Sequence, residues 1–77
     1  MVAVDDIKSL VEKTFNVDVL NISKDLMDLG LIDSIEAMKL LTIIESEYKV
    51  NIPFTEYTQK GFFTVESIVN SINVKTE

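Results

Sequence analysis

The sequence predicts an all-α fold: a small four-helix bundle with three main helices, one short helix and a long loop before the central helix. Three separate segments carry apolar residues at helical spacing. The longest of these segments contains neither glycine nor proline. With 77 residues, the chain has room for one domain, residues 1–77, built around one small hydrophobic core.

The first helix is predicted over about residues 5–15, and the last helix begins near residue 65. Asp5 and Asp6 suit the start of the first helix, because acidic groups there meet the positive end of the helix dipole. Thr64 is placed to cap the last helix. The apolar stripes are Ile7, Leu10, Val11 and Phe15 in the first helix and Val65, Ile68, Val69 and Ile72 in the last.

The central helix is predicted over residues 34–48. Asp33 can serve as its N-cap, with Glu36 three residues later as the return partner of a capping box. Pro53 prevents the helix from continuing, and a short helical turn is expected over residues 55–60. The stripe that faces the core consists of Ala37, Leu40, Leu41, Ile44 and Tyr48.

Residues 16–33 show no helical period and form a loop of about 18 residues. Loops of this length are uncommon in compact domains and are often functional. Apolar side chains recur throughout this one, so we expect them to hold the loop against the core. They are Val17, Val19, Leu20, Ile22, Leu26, Leu29 and Leu31.

The formal net charge is −6, from 13 acidic and 7 basic residues. Such a surface repels nucleic-acid phosphates, so nucleic acid is not an expected partner. Basic proteins are better candidates, because complementary fields speed encounter. A domain that only needs to stay dispersed could carry the same charge.

The residue types present also limit the chemistry. The sequence has no His, Cys, Arg or Trp, so the usual proton shuttle, thiolate nucleophile and phosphate fork are missing. We therefore expect a protein that is not an enzyme.

The N-terminal residues lack the pattern of a signal peptide, and no apolar run approaches the roughly 20 residues that span a bilayer. We expect a cytoplasmic protein without membrane insertion.

The most informative stretch is the junction between the loop and the central helix. Gly30 permits a turn that other residues resist. Asp33 caps the helix, so Ser34 lies in its first turn with the hydroxyl towards solvent. A phosphate ester on that hydroxyl would lie near free main-chain N–H groups and gain about 0.3–1 kcal/mol from the helix dipole.

This junction, Gly30-Leu31-Ile32-Asp33-Ser34-Ile35, resembles the Asp-Ser-Leu signature of the acyl carrier protein family. The similarity extends to the long loop before it and to the last part of the central helix, and so covers nearly the whole chain. The further matching residues are Glu45, Glu47, Tyr48, Asn51-Ile52-Pro53 and Thr64-Val65.

The resemblance implies a freestanding carrier in which Ser34 bears a 4′-phosphopantetheine arm from coenzyme A, with Asp33 as the other motif residue. The arm would supply the thiol that the chain lacks and hold acyl or aminoacyl groups as thioesters. The implied partners are a phosphopantetheinyl transferase, an acyl- or aminoacyl-loading ligase or adenylating enzyme, and a downstream synthase or transferase. We expect the carrier to be a monomer.

Departures from the fatty-acid carriers leave the cargo open. Lys39 and Ser46 stand where those carriers tend to have acidic residues, and Ile35 stands where they tend to have leucine. Residues 54–57 resemble the D-alanyl carrier proteins of cell-wall modification. Fatty-acid, polyketide and nonribosomal peptide synthesis and D-alanylation all remain possible pathways. Our hypothesis is an amino acid or a specialised acyl unit.

A partner-binding face is expected beside Ser34. Ile35 and Met38 fall off the core stripe and can form an apolar patch there. The charged residues expected on the same helix are Glu36 and Lys39 near this patch and the more distant Glu45 and Glu47.

Two interpretations compete with the carrier. The first is a small acidic helical interaction module without a prosthetic group, in which Ser34 is merely a helix-start serine. The second is a calcium loop, which would place Asp25, Gly30, Asp33 and Glu36 at positions one, six, nine and twelve. Met27 and Leu29 would then occupy positions three and five without an oxygen ligand, which argues against calcium.

Overall fold

A computed structural model describes residues 1–57 and 63–76 of the chain. It contains three α-helices: α1 over Val4–Phe15, α2 over Ser34–Tyr48 and α3 over Val65–Thr76. The described residues contain no β-strand, so the predicted all-α class is confirmed. None of the described helices is long and apolar enough to cross a bilayer.

The three predicted helices are present at nearly the predicted positions. The α1 helix begins one residue earlier than expected because the Asp6 carboxylate accepts a hydrogen bond from the Ala3 N–H at 3.1 Å. The α3 helix is capped as predicted, since the Ser67 N–H donates to Thr64 Oγ1 at 3.0 Å. Lys49 closes α2 in the left-handed conformation, with φ of 55°.

The structure does not confirm the expected short fourth helix. The segment predicted to form it, residues 55–60, lies partly outside the described residues. Within the described part, a single 3₁₀ turn occupies Phe54–Tyr57. The fold is therefore described by three α-helices, and the short fourth helix stays a prediction.

One hydrophobic core joins the three helices to the long loop. The predicted stripes of all three helices contribute to it, and so do three residues of the loop, Val19, Leu26 and Ile32, and Phe63 just before α3. Tyr48 and Phe54 lie at its edge and are partly buried. The core therefore fixes α2 from one side only and leaves the opposite side of that helix, with Ser34 at its first turn, exposed.

Candidate functional site

The site is built around the first turn of α2. The Glu36 N–H donates to Asp33 Oδ1 at 2.8 Å, and the Asp33 N–H donates to Glu36 Oε1 at 3.0 Å. This pair is the predicted capping box, and it satisfies main-chain donors that a helix start otherwise leaves free. Ser34 is the first residue of the helix and its side chain is exposed, so its hydroxyl is accessible to an external enzyme.

A tight turn delivers the chain to this helix. The Gly30 N–H donates to the Met27 carbonyl at 3.0 Å, and the Leu31 N–H donates to the Leu26 carbonyl at 3.2 Å. Gly30 has φ of +73°, and a Cβ built there would meet no atom within 4 Å. The left-handed backbone, rather than lack of space, therefore explains the glycine. Ile32 then enters the core and fixes the position of the cap.

Asp25 organises the loop before this turn. Its Oδ1 accepts hydrogen bonds from the Met27 N–H at 2.8 Å and the Asp28 N–H at 3.2 Å, and its Oδ2 accepts one from the Phe63 N–H at 3.0 Å. The side chain is only 5% exposed. Asp25 therefore closes a local turn and joins the loop to the segment before α3.

The main chain reinforces this connection. The Leu26 N–H donates to the Phe63 carbonyl at 2.9 Å, and both residues are buried. Nearer the start of the loop, Ser23 Oγ donates to Glu66 Oε1 at 2.6 Å, and the Glu66 N–H donates to the Ile22 carbonyl at 3.3 Å. The loop is thus attached to α3 and to the residues that precede it.

Asp25, the first position of the calcium-loop interpretation, is engaged by the main chain in this structure. Both of its carboxylate oxygens accept main-chain N–H groups. In residues 1–57 and 63–76, no three acidic side chains converge as a metal site would require. Sequence reasoning missed the role of Asp25 in the loop, although an aspartate that accepts from the amides two and three residues later is a common turn signal.

Apolar side chains near Ser34 in the sequence are exposed to solvent. Ile35 is 71% exposed and Met38 is 47% exposed, where the sequence places the partner face. Leu29, in the turn before α2, is 43% exposed and was not predicted as part of it. Lys39 is exposed one turn after Ile35, so the structure leaves three of the four expected partner-face residues open to solvent.

The glutamates expected on the same helix are used differently from one another. Glu36, the fourth partner-face residue, is half-buried, and it completes the capping box by accepting the Asp33 N–H. Glu45 Oε2 accepts the Ile52 N–H at 2.7 Å and so holds the chain that follows α2. Glu47 lies on the side of α2 towards α1, in a cleft that Lys13 and Tyr48 also line.

Tyr48, at the C-terminal end of α2, lies near acidic side chains. Burial of the Tyr48 phenol, together with the nearby carboxylates of Asp6 and Glu47, raises the pKa of Tyr48 above its usual value. Both causes disfavour the ionised phenolate. This end of the helix is more than three turns from Ser34 along α2.

An open groove runs along α2 beside the patch. Met38, Thr42 and Glu45 form its α2 side together with Leu41, and Ile52, Pro53 and Phe54 form the other side. Met38 follows Ser34 by one helical turn, so the groove begins close to the Ser34 hydroxyl. A flexible group attached to Ser34 could lie along it.

Known proteins resemble this chain over most of its length. Residues 5–72 match the family described as "Phosphopantetheine attachment site". A D-alanyl carrier protein of Streptococcus suis is 26% identical over 69 residues, which cover 88% of this chain and 87% of that protein. A D-alanyl carrier protein of Streptococcus pyogenes is 30% identical over 64 residues, covering 82% of this chain and 81% of that protein. No solved structure matches the chain significantly.

The capping box predicts the effect of changing Asp33. Asp33→Ala removes the acceptor for the Glu36 N–H, so we expect the free energy of unfolding to fall by about 1 kcal/mol. Asp33→Asn keeps an acceptor oxygen and should retain most of the stability. Denaturant unfolding followed by circular dichroism measures both. An equal loss in the two variants would show that the charge of Asp33, and not its acceptor, matters.

Proposed function

The chain belongs to the family defined by a phosphopantetheine attachment site, and we propose that Ser34 is the residue to which its 4′-phosphopantetheine is attached. The observation that carries this proposal is the position of Ser34: an exposed hydroxyl at the first turn of a capped helix, next to an open groove. Members of this family are carriers and do not themselves catalyse a reaction. The alternative of an interaction module without a prosthetic group is not favoured.

Attachment requires a separate enzyme. A phosphopantetheinyl transferase would let Ser34 Oγ form a bond to the pantetheine-bearing phosphorus of coenzyme A. The bond from that phosphorus to the bridging pyrophosphate oxygen breaks, the adenosine bisphosphate leaves, and the hydroxyl proton passes to a base of the transferase. The product phosphodiester would lie at the N-terminus of α2, where the helix dipole favours negative charge.

The residues of this chain fit the prosthetic group. The sequence has no cysteine, and 4′-phosphopantetheine supplies the thiol on which cargo is held as a thioester. Ser34 would hold the group, the Asp33 cap would orient the attachment point, and the groove beside Met38 would give the arm room. Tethering raises the effective concentration of the cargo at each partner enzyme.

The attachment residue can be tested by substitution. Incubation with coenzyme A and a phosphopantetheinyl transferase should add one phosphopantetheine to the wild-type chain, and Ser34→Ala should prevent it. Ser46→Ala is the matched control, because Ser46 is also an exposed serine of α2, and it should be modified normally. Intact mass measures the result. Addition to the Ser34→Ala chain would overturn the assignment.

For the cargo we propose an aminoacyl group or a specialised acyl unit. Two observations support this. The relatives described above are D-alanyl carrier proteins, and Ile35 and Lys39 depart from the pattern that the fatty-acid carriers tend to show. The loading partner would then be an adenylating ligase, working with ATP in the cytoplasm.

Loading of the modified protein tests the cargo. We expect a D-alanine-activating ligase with ATP to form a thioester on the phosphopantetheine-bearing chain more readily than a fatty-acid ligase does. Hydroxylamine should release the cargo, and the Ser34→Ala chain should remain unloaded. Rescue of a host that lacks its housekeeping fatty-acid carrier would contradict the proposal.

We also propose that partners dock on the exposed face of α2. Ile35 and Met38 would supply apolar contact next to Ser34, so the arm could enter a neighbouring active site. Lys39 would be the principal charge of this face, because Glu36 and Glu45 each have a carboxylate oxygen that accepts a main-chain N–H. Partners that present an acidic group opposite Lys39 would be favoured, and partners built for an all-acidic helix would be penalised.

Two variants test the docking face. Lys39→Glu should improve modification or loading by fatty-acid enzymes and impair loading by the cognate ligase. Ile35→Asp should slow both without unfolding the domain, because Ile35 is an exposed residue. Rates at low and high salt separate the effect of charge from that of apolar contact, and circular dichroism checks the fold. Unchanged rates in both folded variants would move the docking site away from α2.

A further inference from the structure

We propose that Asp25 is a positioning residue for the modification of Ser34: its buried carboxylate holds the loop against the start of α3 and so sets where α2 presents its first turn. This inference rests on the proposal that Ser34 is the attachment residue. Asp25 would not contact coenzyme A. It would act through the loop that ends at Ser34.

The first step of the argument is how the carboxylate is used. Its two oxygens serve different parts of the chain: Oδ1 accepts the N–H groups of Met27 and Asp28, and Oδ2 accepts the N–H of Phe63. Asp25 and Phe63 are 38 residues apart in sequence. A side chain that accepts only from its own turn would shape the loop locally. Asp25 also fixes the loop relative to α3.

The second step is the path from Asp25 to Ser34. The Leu29 N–H donates to the Asp25 carbonyl at 3.0 Å, and the Leu31 N–H donates to the Leu26 carbonyl at 3.2 Å. Ile32 is buried immediately afterwards, and Asp33 caps α2. A continuous series of hydrogen bonds and buried side chains therefore runs from Phe63 through residues 25–33 to Ser34.

The third step is why position matters for the reaction. The modifying enzyme must bring Ser34 Oγ into line with the phosphorus of coenzyme A, and a displacement of about 1 Å can slow such a step by about a hundredfold. The core stripe of α2 does not depend on Asp25, since it packs through apolar side chains. Loss of the Asp25 contacts should thus leave the helix folded while its first turn is less well placed.

Two substitutions of Asp25 separate its contacts. Asp25→Asn keeps the shape but replaces one acceptor oxygen by an NH₂ donor, so either the local amides or the Phe63 amide must face a donor. Asp25→Ser retains a single acceptor that can cap the local turn, but it is too short to keep both sets of contacts. If one variant does not fold, the other still tests the proposal.

Two matched controls come from the same region and from the core. Ser23→Ala removes a hydrogen bond between the same loop and α3, that from Ser23 Oγ to Glu66 Oε1, without touching the turn before Ser34. Val69→Ala truncates a buried side chain of α3 and lowers stability without changing the loop. Both chains should be modified at the wild-type rate once the unfolded fraction is taken into account.

The measurements are kcat and KM for transfer of phosphopantetheine to the folded protein, and hydrogen exchange of the Phe63 and Met27 amides. We expect kcat for the Asp25 variants to fall by roughly tenfold, while KM changes less because the exposed face of α2 is intact. The Phe63 amide should lose its protection in Asp25→Ser, and either the Phe63 amide or the Met27 amide should lose it in Asp25→Asn. Amides in the middle of α2 should keep theirs in both variants.

The contradicting outcomes are distinct. Wild-type kcat in an Asp25 variant whose Phe63 amide has become exposed to exchange would overturn the positioning role, and so would an effect no larger than that of Val69→Ala at equal stability. If neither Asp25 variant folds, the role is purely structural and the inference is wrong. Absence of modification in the wild-type chain would instead overturn the proposed function, and this inference with it.

Discussion

The contact between the Asp25 carboxylate and the main chain is the interaction on which the arrangement of the site depends. Residues 16–33 have no regular helix to satisfy their main-chain polar groups, and buried groups of this kind must find partners within the fold. Asp25 provides acceptors for two of them, the N–H groups of Met27 and Asp28, and for the N–H of Phe63 outside the loop. A buried N–H left without an acceptor costs about 1–3 kcal/mol, so this contact both stabilises the loop and decides where it ends, at the Asp33 cap.

The capping box then fixes where α2 begins, and the core stripe fixes which side of α2 is buried. Ala37 and Leu40 anchor one side of α2 in the core, which leaves Ser34 and Ile35 facing solvent. The helical period therefore places the residues that pack into the core on one side of α2 and the solvent-exposed residues on the other. Glu36 and Glu45 each accept a main-chain N–H, which is why the proposed docking face gives Lys39 the principal charge.

The helices could be predicted because their caps and apolar stripes are local sequence patterns. Contacts between residues far apart in the sequence could not be predicted. The start of α2 follows from Asp33 and Glu36, three residues apart, and the observed helix, Ser34–Tyr48, has the predicted bounds. The path of the loop depends on Asp25 and Phe63, which no periodic pattern connects. The bond from the Ile52 N–H to Glu45 was missed for the same reason, because the glutamate was read only as a surface charge.

The central claim, that Ser34 receives the prosthetic group, can be tested most directly by peptide mapping of the wild-type protein after modification. Cleavage after Lys24 and Lys39 releases residues 25–39, in which Ser34 is the only hydroxyl-bearing residue. The account predicts that this peptide carries one phosphopantetheine and that fragmentation places it on Ser34. An unmodified 25–39 peptide, with the added mass found on another part of the chain, would contradict it.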